Sequence, residues 1–138
     1  MANAALAPRV RMFAICDDVS ASETEDGVFN LEAVRQRLYA DSFPWRAELS
    51  VFLVLSNPRT GRYPGRIRIV LDRADKTVRY VKFLATFQDD DLLPLYVDLG
   101  YCLFPEPGQY TFKVEFSSPS GGETLKGEYP FPVLQHEE

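Results

Sequence analysis

LFPEPGQYTFKVEF, the stretch from Leu103 to Phe116, contains the clearest strand signal of the chain. Pro105, Pro107 and Gly108 predict a turn, because proline fixes φ and glycine permits the backbone conformations of a tight reversal. Apolar and polar residues then alternate, a period of two that is typical of a half-buried strand. The apolar positions are Tyr110, Phe112, Val114 and Phe116. We therefore predict a central strand with one face in the core.

Further strands are predicted on both sides of this stretch, separated by turn signals such as Asp26-Gly27 and SSPSGG. They cover residues 10–16, 47–56, 66–72, 77–87, 95–104 and the final run TLKGEYPFPVL. Pro130 and Pro132 in that run lack an N–H donor, so it is predicted to lie at a sheet edge. Short strands at this spacing predict an all-β fold, an antiparallel β-sandwich of seven or eight strands.

The segment VFNLEAVRQRL, residues 28–38, is ambiguous between strand and helix. Leu31, Val34 and Leu38 are at helical spacing, whereas Phe29, Leu31 and Ala33 are at strand spacing. Local propensity favours a helix.

A resemblance to a known family rests on several motifs: FAICDDV, NLEAV, SFPW, FPEPGQYTFKVEF and the terminal YPFPVL. In this order they resemble a family of uncharacterised bacterial domains with an immunoglobulin-like β-sandwich, over residues 12–134. The resemblance implies a strand from Val28 to Arg35 and brings no activity or ligand with it. Tyr110 resembles the tyrosine corner of such domains, whose hydroxyl bonds to the backbone upstream. The cysteine and tryptophan spacing departs from the immunoglobulin pattern.

Length and charge exclude several classes of protein. A chain of 138 residues fits one domain, residues 1–138, with an ordered core of about 10–134 and frayed ends. The net charge of −5 argues against non-specific nucleic-acid binding, which needs a basic face. Arg62, Arg66 and Arg68 are interpreted as solvating the wet face of a strand. No apolar run reaches the roughly 18 residues of a membrane span, so a soluble protein is expected.

The two cysteines, Cys16 and Cys102, have no histidine or second cysteine at metal-ligand spacing. We predict free thiols and a cytoplasmic location.

Catalytic patterns are weak in this sequence. The single histidine, His136, is in a terminal QHEE segment where a base would be poorly held. Neither a glycine-rich phosphate loop nor a nucleophile elbow is present. We therefore predict that the protein is not an enzyme and has no cofactor.

Two kinds of ligand site are weighed. Acidic residues concentrate in predicted loops, and calcium binds six to eight oxygens of this kind; the candidates are Asp17, Asp18, Asp26, Asp89, Asp90 and Asp91. The alternative is that these side chains are solvated. Tyr39, Trp45 and Tyr63 are candidates for a carbohydrate or peptide site, and they are equally compatible with core packing.

The resulting hypothesis is a non-enzymatic interaction module that presents loops or a sheet edge to a protein partner or to a second copy of itself. MFAIC, residues 12–16, has no charge and no proline, so at a sheet edge it would invite a partner strand. The alternative at this edge is that the preceding ten residues cover it. The alternative function is a domain that binds calcium or carbohydrate through its loops.

Overall fold

Strands dominate the structure, a computed structural model that describes residues 7–56, 59–88, 92–118 and 121–136. These residues contain nine strands: β1 (Arg9–Ala21), β2 (Phe29–Val34), β3 (Leu38–Ala40), β4 (Trp45–Ser56), β5 (Gly61–Leu71), β6 (Lys76–Phe87), β7 (Leu92–Phe104), β8 (Gly108–Ser117) and β9 (Glu123–Gln135). The prediction of an all-β sandwich is confirmed. The strand number is higher than the predicted seven or eight, because the ambiguous segment forms two short strands.

The strands form two packed sheets. The four-stranded sheet has the order β2-β1-β4-β7, and the five-stranded sheet has the order β3-β9-β8-β5-β6. Neighbours are antiparallel except β3 and β9, which are parallel. On one side of the sandwich the edge strands β6 and β7 meet, where Nε of Arg79 donates to the carbonyl of Leu99 at 2.8 Å. The opposite side contains β1, β2, β3 and β9.

The opening stretch occupies the centre of the five-stranded sheet, since β8 pairs with β5 and β9. Its four alternating apolar side chains are all buried in the main core between the sheets. At about 1.5–3 kcal/mol for each buried side chain, they contribute about 6–12 kcal/mol of gross burial free energy. The predicted central strand is confirmed.

The predicted tyrosine corner is also present. The hydroxyl of Tyr110 donates to the carbonyl of Glu106 at 2.7 Å, and the ring packs edge-to-face against Phe104. The bond ties the turn before β8 to the core.

Removing this hydroxyl should weaken the fold. We expect Tyr110→Phe to lower the free energy of unfolding by about 1–2 kcal/mol, because the hydrogen bond from the buried tyrosine to the carbonyl of Glu106 is lost. Urea unfolding of both proteins measures the difference. Tyr101→Phe, at an exposed tyrosine of β7, is the control and should stay within about 0.5 kcal/mol of wild type. Coinciding midpoints for wild type and Tyr110→Phe would contradict the role of the corner.

Residues 28–38 are not helical. Residues 29–34 form β2, which pairs with β1, and Leu38 begins β3, which pairs with β9. Leu38 and Ala40 are buried. Tertiary pairing and burial override local propensity here, as they commonly do in short segments. The strand implied by the family resemblance is confirmed.

The two predicted edges have different outcomes. β1 lies between β2 and β4, so only part of it can lie at a sheet edge. However, β2 pairs only from Cys16 onward, and the N–H of Arg35 donates to the carbonyl of Ile15 at 2.7 Å. Within the described residues, therefore, no strand pairs with Arg9–Ala14 on the side away from β4.

β9 is the terminal strand, and its partner β3 covers only Val133–Gln135. Along the preceding residues of β9, which include Pro130 and Pro132, the structure describes no strand on the side away from β8. Both prolines therefore lie in an edge segment, as predicted, where a missing N–H donor disrupts no ladder.

The arginines on the outer face of the five-stranded sheet are not simply solvated. Arg66 and Arg68 both donate from Nε to Glu115, at 2.7 and 2.9 Å, and the carboxylate is almost fully buried beneath them. Arg62 is exposed, as expected. A strand pattern identifies the wet face but not the ion pairs formed on it.

The two cysteines are free thiols on opposite faces of the four-stranded sheet. Cys102 belongs to the main core, whereas Cys16 packs with Val19 and Phe52 in a smaller cluster. Phe52 alternates along β4 with Val51 and Leu53 of the main core, so this smaller cluster lies on the outer face. The structure therefore agrees with the prediction of unpaired cysteines. In the part of the chain that the structure describes, no helix is long and apolar enough to cross a bilayer.

Candidate functional site

A change of strand partner creates the main cleft. From Arg9 to Cys16, β1 pairs with β4, and from Cys16 to Ala21 it pairs with β2. Because β1 leaves β4 opposite Ser50, residues 45–49 of β4 pair with β7 on one side only. The described residues supply no strand on their other side.

The hairpin of β1 and β2 bends out of the sheet plane at this point. Cys16 and Val19 face the same small cluster although they are three residues apart, so the alternation of β1 breaks between them. Opposite the break, Ala33 has a φ of 56°, which is rare for a residue with a side chain and typical of a strand irregularity. Phe29 of β2 contacts Phe52 of β4, with ring centroids 5.1 Å apart. The hairpin therefore folds over the outer face of the four-stranded sheet.

The space between the hairpin and β4 is an open cleft of about 580 Å³. Its apolar lining comes from Leu38, Ala47 and Leu49. The carboxylates that line it come from four different strands: Asp17, Asp18, Glu32, Glu48 and Asp98. Arg35 and Arg46 are the two basic residues of the lining, so five carboxylates and two guanidinium groups give a net charge of −3.

One ion pair spans the base of the hairpin. Nη2 of Arg35 donates to Oδ2 of Asp17 at 2.8 Å, and Nε of Arg35 donates to Oδ1. The hydrogen bond from Arg35 holds the pKa of Asp17 below its ordinary value, and the same bond raises the pKa of Arg35. Asp17 is thus neutralised within the protein. Asp18, Glu32 and Glu48 are exposed and leave the cleft acidic.

Two of the three predicted aromatic residues line the cleft. Trp45 begins β4, and Tyr39 lies in β3 with its ring 5.4 Å from that of His136. Tyr63 lies elsewhere and packs edge-to-face against Phe87. The structure therefore combines Tyr39 and Trp45 with the acidic residues.

The calcium candidates do not form one cluster. Asp17 and Asp18 line the cleft, while Asp26 is exposed in the connection between β1 and β2 and does not line it. Asp89, Asp90 and Asp91 lie outside the described residues. Across the ranges that the structure describes, no group of three or more His, Cys, Asp or Glu side chains is arranged to hold a metal ion.

Sequence reasoning did not identify Glu32, Glu48 and Asp98 as site residues. Each is on the wet face of a strand, where an acidic residue usually serves only solubility. Their proximity depends on the partner change of β1, which no local pattern indicates. Arg35 was also missed, because its carboxylate partner is on the preceding strand.

The polar groups with catalytic potential are separated. His136 is exposed, and its backbone N–H donates to the carbonyl of Ala40 at 2.8 Å. Burial raises the pKa of both the Cys16 and Cys102 thiols to about 11, so they stay protonated and are weak nucleophiles at neutral pH. Neither thiol lines the cleft.

Comparisons with known proteins show likeness of fold. A glycosyl hydrolase family 2 member from Bacteroides cellulosilyticus is similar over 66% of this chain, with 20% identity and a TM-score of 0.51. This chain corresponds to only 13% of the length of that protein.

Two other similar structures have lower TM-scores. CopC from Methylosinus trichosporium OB3b has 23% identity and a TM-score of 0.36, over 75% of this chain and 89% of its own. The soluble domain of PmoD from a Methylocystis species has 12% identity and a TM-score of 0.35, over 91% of this chain and 96% of its own. No family model matches the chain, and no curated protein matches it. The comparison with the glycosyl hydrolase family 2 member thus shows a likeness of fold alone and assigns no activity to this chain.

Proposed function

We propose that this domain is a non-enzymatic interaction module that binds an extended segment of a protein partner by strand addition to residues 45–49 of β4. One observation carries the proposal: these residues form the wall of an open cleft and are paired on one side only. In strand addition, main-chain hydrogen bonds supply affinity and pockets for alternate side chains supply specificity. Five residues of extended chain span about 17 Å.

The pairing pattern identifies the main-chain groups that a partner would meet. The carbonyl of Ile15 accepts a hydrogen bond from the N–H of Arg35, so the N–H and C=O groups of Ile15 point away from β4. Val51 lies opposite Ile15 on β4, and its N–H and C=O groups therefore point away from β1, toward β7. Alternation along β4 then directs the N–H and C=O groups of Arg46 and Glu48 toward the cleft.

Hydrogen exchange of a ¹⁵N-labelled sample tests the proposal, with capped heptapeptides KVKTKVK and QVQTQVQ as the probes. In saturating peptide, the amides of Arg46 and Glu48 should exchange at least about tenfold more slowly, while those of Ala47 and Leu49 are already protected by β7. If no peptide slows exchange at Arg46 and Glu48, strand addition at this edge is wrong.

Self-association is a second candidate, favoured by the stretch Arg9–Ala14 of β1, which among the described residues pairs with β4 on one side only. Met12 in this stretch is 49% exposed, and two copies could pair antiparallel along it by main-chain hydrogen bonds. The cytoplasmic location and the absence of enzymatic activity remain predictions beside both candidates.

We expect wild-type protein to sediment as a dimer at high concentration and Met12→Lys to shift toward monomer, because a charge at the edge opposes pairing. Leu84→Lys is the matched control, since Leu84 of β6 is equally exposed at 49%. A wild-type monomer at all concentrations in sedimentation velocity would exclude self-association and leave the proposal for β4 intact.

The alternative of a small-ligand site is favoured by one observation, the joint presence of Tyr39, Trp45 and several carboxylates in the cleft. Carboxylates accept hydrogen bonds from hydroxyl groups, which suits a carbohydrate. Calorimetric titration with calcium chloride and with a panel of glycans separates this alternative from peptide binding.

A further inference from the structure

We propose that the segment added to β4 carries Lys or Arg at every second position, with small apolar or neutral residues between them. This inference rests on the proposed function and specifies the chemical class of the partner. It follows from the different character of the two sides of the cleft.

The outer side of the cleft is acidic. Side chains of an added strand would alternate between the outer side, beneath the hairpin, and the inner side, between the two sheets. The outer side presents Glu48 from β4 together with Asp18 and Glu32 from the hairpin, all of them exposed. Asp17 is already paired with Arg35. Arg46 of β4 lies on the same side as Glu48 and carries the opposite charge. Basic side chains at alternate positions would therefore meet a net excess of two negative charges.

The inner side of the cleft is apolar. Leu38 and Leu49 are buried there, and Ala47 and Trp45 are partly buried beside them. A charged side chain directed toward this surface would lose its hydration without a partner, which is costly. Small apolar side chains would instead cover the parts of Ala47 and Trp45 that are still exposed.

The negative charge of the cleft also attracts a basic partner during diffusion, before the two molecules touch. The cleft lining carries a net charge of −3, a large part of the −5 of the whole chain. A cleft of one sign raises the local concentration of oppositely charged segments and accelerates their association, with an effect that declines as salt increases.

Three capped heptapeptides of equal length test the inference: KVKTKVK, QVQTQVQ and EVETEVE. Fluorescence anisotropy at low and high salt gives their affinities, and hydrogen exchange locates the bound strand. We expect KVKTKVK to bind about tenfold or more tightly than QVQTQVQ at low salt, with a difference that shrinks at high salt, and EVETEVE to bind least.

Two variants of equal charge locate the effect. Glu32→Gln with Glu48→Gln removes two carboxylates from the cleft, and Glu23→Gln with Glu25→Gln removes two exposed ones from the connection between β1 and β2. The cleft variant should weaken KVKTKVK by about three- to tenfold and QVQTQVQ by no more than about twofold, while the connection variant should change neither by more than about twofold.

The outcomes separate the inference from the function on which it rests. If QVQTQVQ and KVKTKVK protect Arg46 and Glu48 equally and with equal affinity, strand addition holds and the basic character of the partner is wrong. Equal weakening of KVKTKVK by both variants would also overturn the inference, since the charge effect would then be non-local. If no peptide protects the edge, the proposed function itself fails.

Discussion

Glu115→Ala should lower the free energy of unfolding by about 2–3 kcal/mol. The side chain of Glu115 is only 9% exposed, and it accepts hydrogen bonds from both Arg66 and Arg68. Truncation leaves two neighbouring guanidinium groups without their shared carboxylate. Removing one partner of a fully buried ion pair costs about 3–5 kcal/mol, and the partial exposure of the two arginines reduces that figure here. Urea unfolding of wild type and Glu115→Ala under the same conditions measures the difference in their free energies of unfolding.

Two controls show whether the carboxylate itself is responsible. Glu123 is 3.9 Å from Arg66 at the rim of the same group, and Glu123→Ala should cost less than about 0.5 kcal/mol. The triple variant Arg66→Met, Arg68→Met, Glu115→Leu should recover most of the loss, because an apolar replacement of the whole group leaves no charge unpaired. A triple variant as unstable as Glu115→Ala would show that packing, not charge, is at stake.

The same carboxylate should make stability depend on pH. Burial alone would raise the pKa of Glu115, but the hydrogen bonds from Arg68 and Arg66 together lower it below its usual 4.5. A lowered pKa in the folded state means that the unfolded state binds more protons, so this contribution is complete above pH 4.5 and is lost as the pH falls through the folded pKa. The stability difference between wild type and Glu115→Gln should therefore narrow in acid. A constant difference would contradict the assignment.

Gly65→Ala should cost about 1–3 kcal/mol by overpacking. A Cβ at this buried position of β5 would lie 2.6 Å from Cζ of Phe83 and 2.9 Å from Cε1 of Phe116. Phe116 is 1% exposed and packs edge-to-face on Phe83 with ring centroids 5.7 Å apart, so neither ring can move without disturbing the other. Thermal and urea unfolding should both report the loss.

A double-mutant cycle identifies the cause. Phe83→Leu replaces the ring that lies nearest to the new methyl group with a shorter side chain. Gly65→Ala should therefore cost less stability in the Phe83→Leu background than in wild type. Purely additive losses would indicate that the Phe83 ring is not what opposes the new methyl group.

The sequence predicts the parts of the fold that depend on local pattern. β8 alternates over its buried length and is bounded by Pro107 and Gly108, so periodicity and turn chemistry agree. For the segment that forms β2 and β3, local propensity favours a helix. The segment forms strands instead, because β1 and β9 provide partners for them. Single-sequence patterns contain no information about such partners.

The cleft was predictable only in its components. Asp17, Asp18, Tyr39 and Trp45 were candidates from composition and position. Their meeting with Glu32, Glu48 and Asp98 depends on where β1 leaves β4, and no local pattern in the sequence indicates that point. For the same reason, Glu115 reads as an ordinary wet-face residue until Arg66 and Arg68 of the adjacent strand are placed above it.

The small cluster beneath the hairpin has a consequence for cooperativity. The hairpin rests on three buried residues, Cys16, Val19 and Phe52, whereas the rest of the molecule shares one large core. Segments with little buried apolar surface open at a lower free energy than the global unfolding transition. We therefore expect the β1–β2 hairpin to open at a lower free energy than the rest of the molecule. A ligand bound between the hairpin and β4 would make the hairpin and the rest of the sandwich unfold together in one cooperative transition.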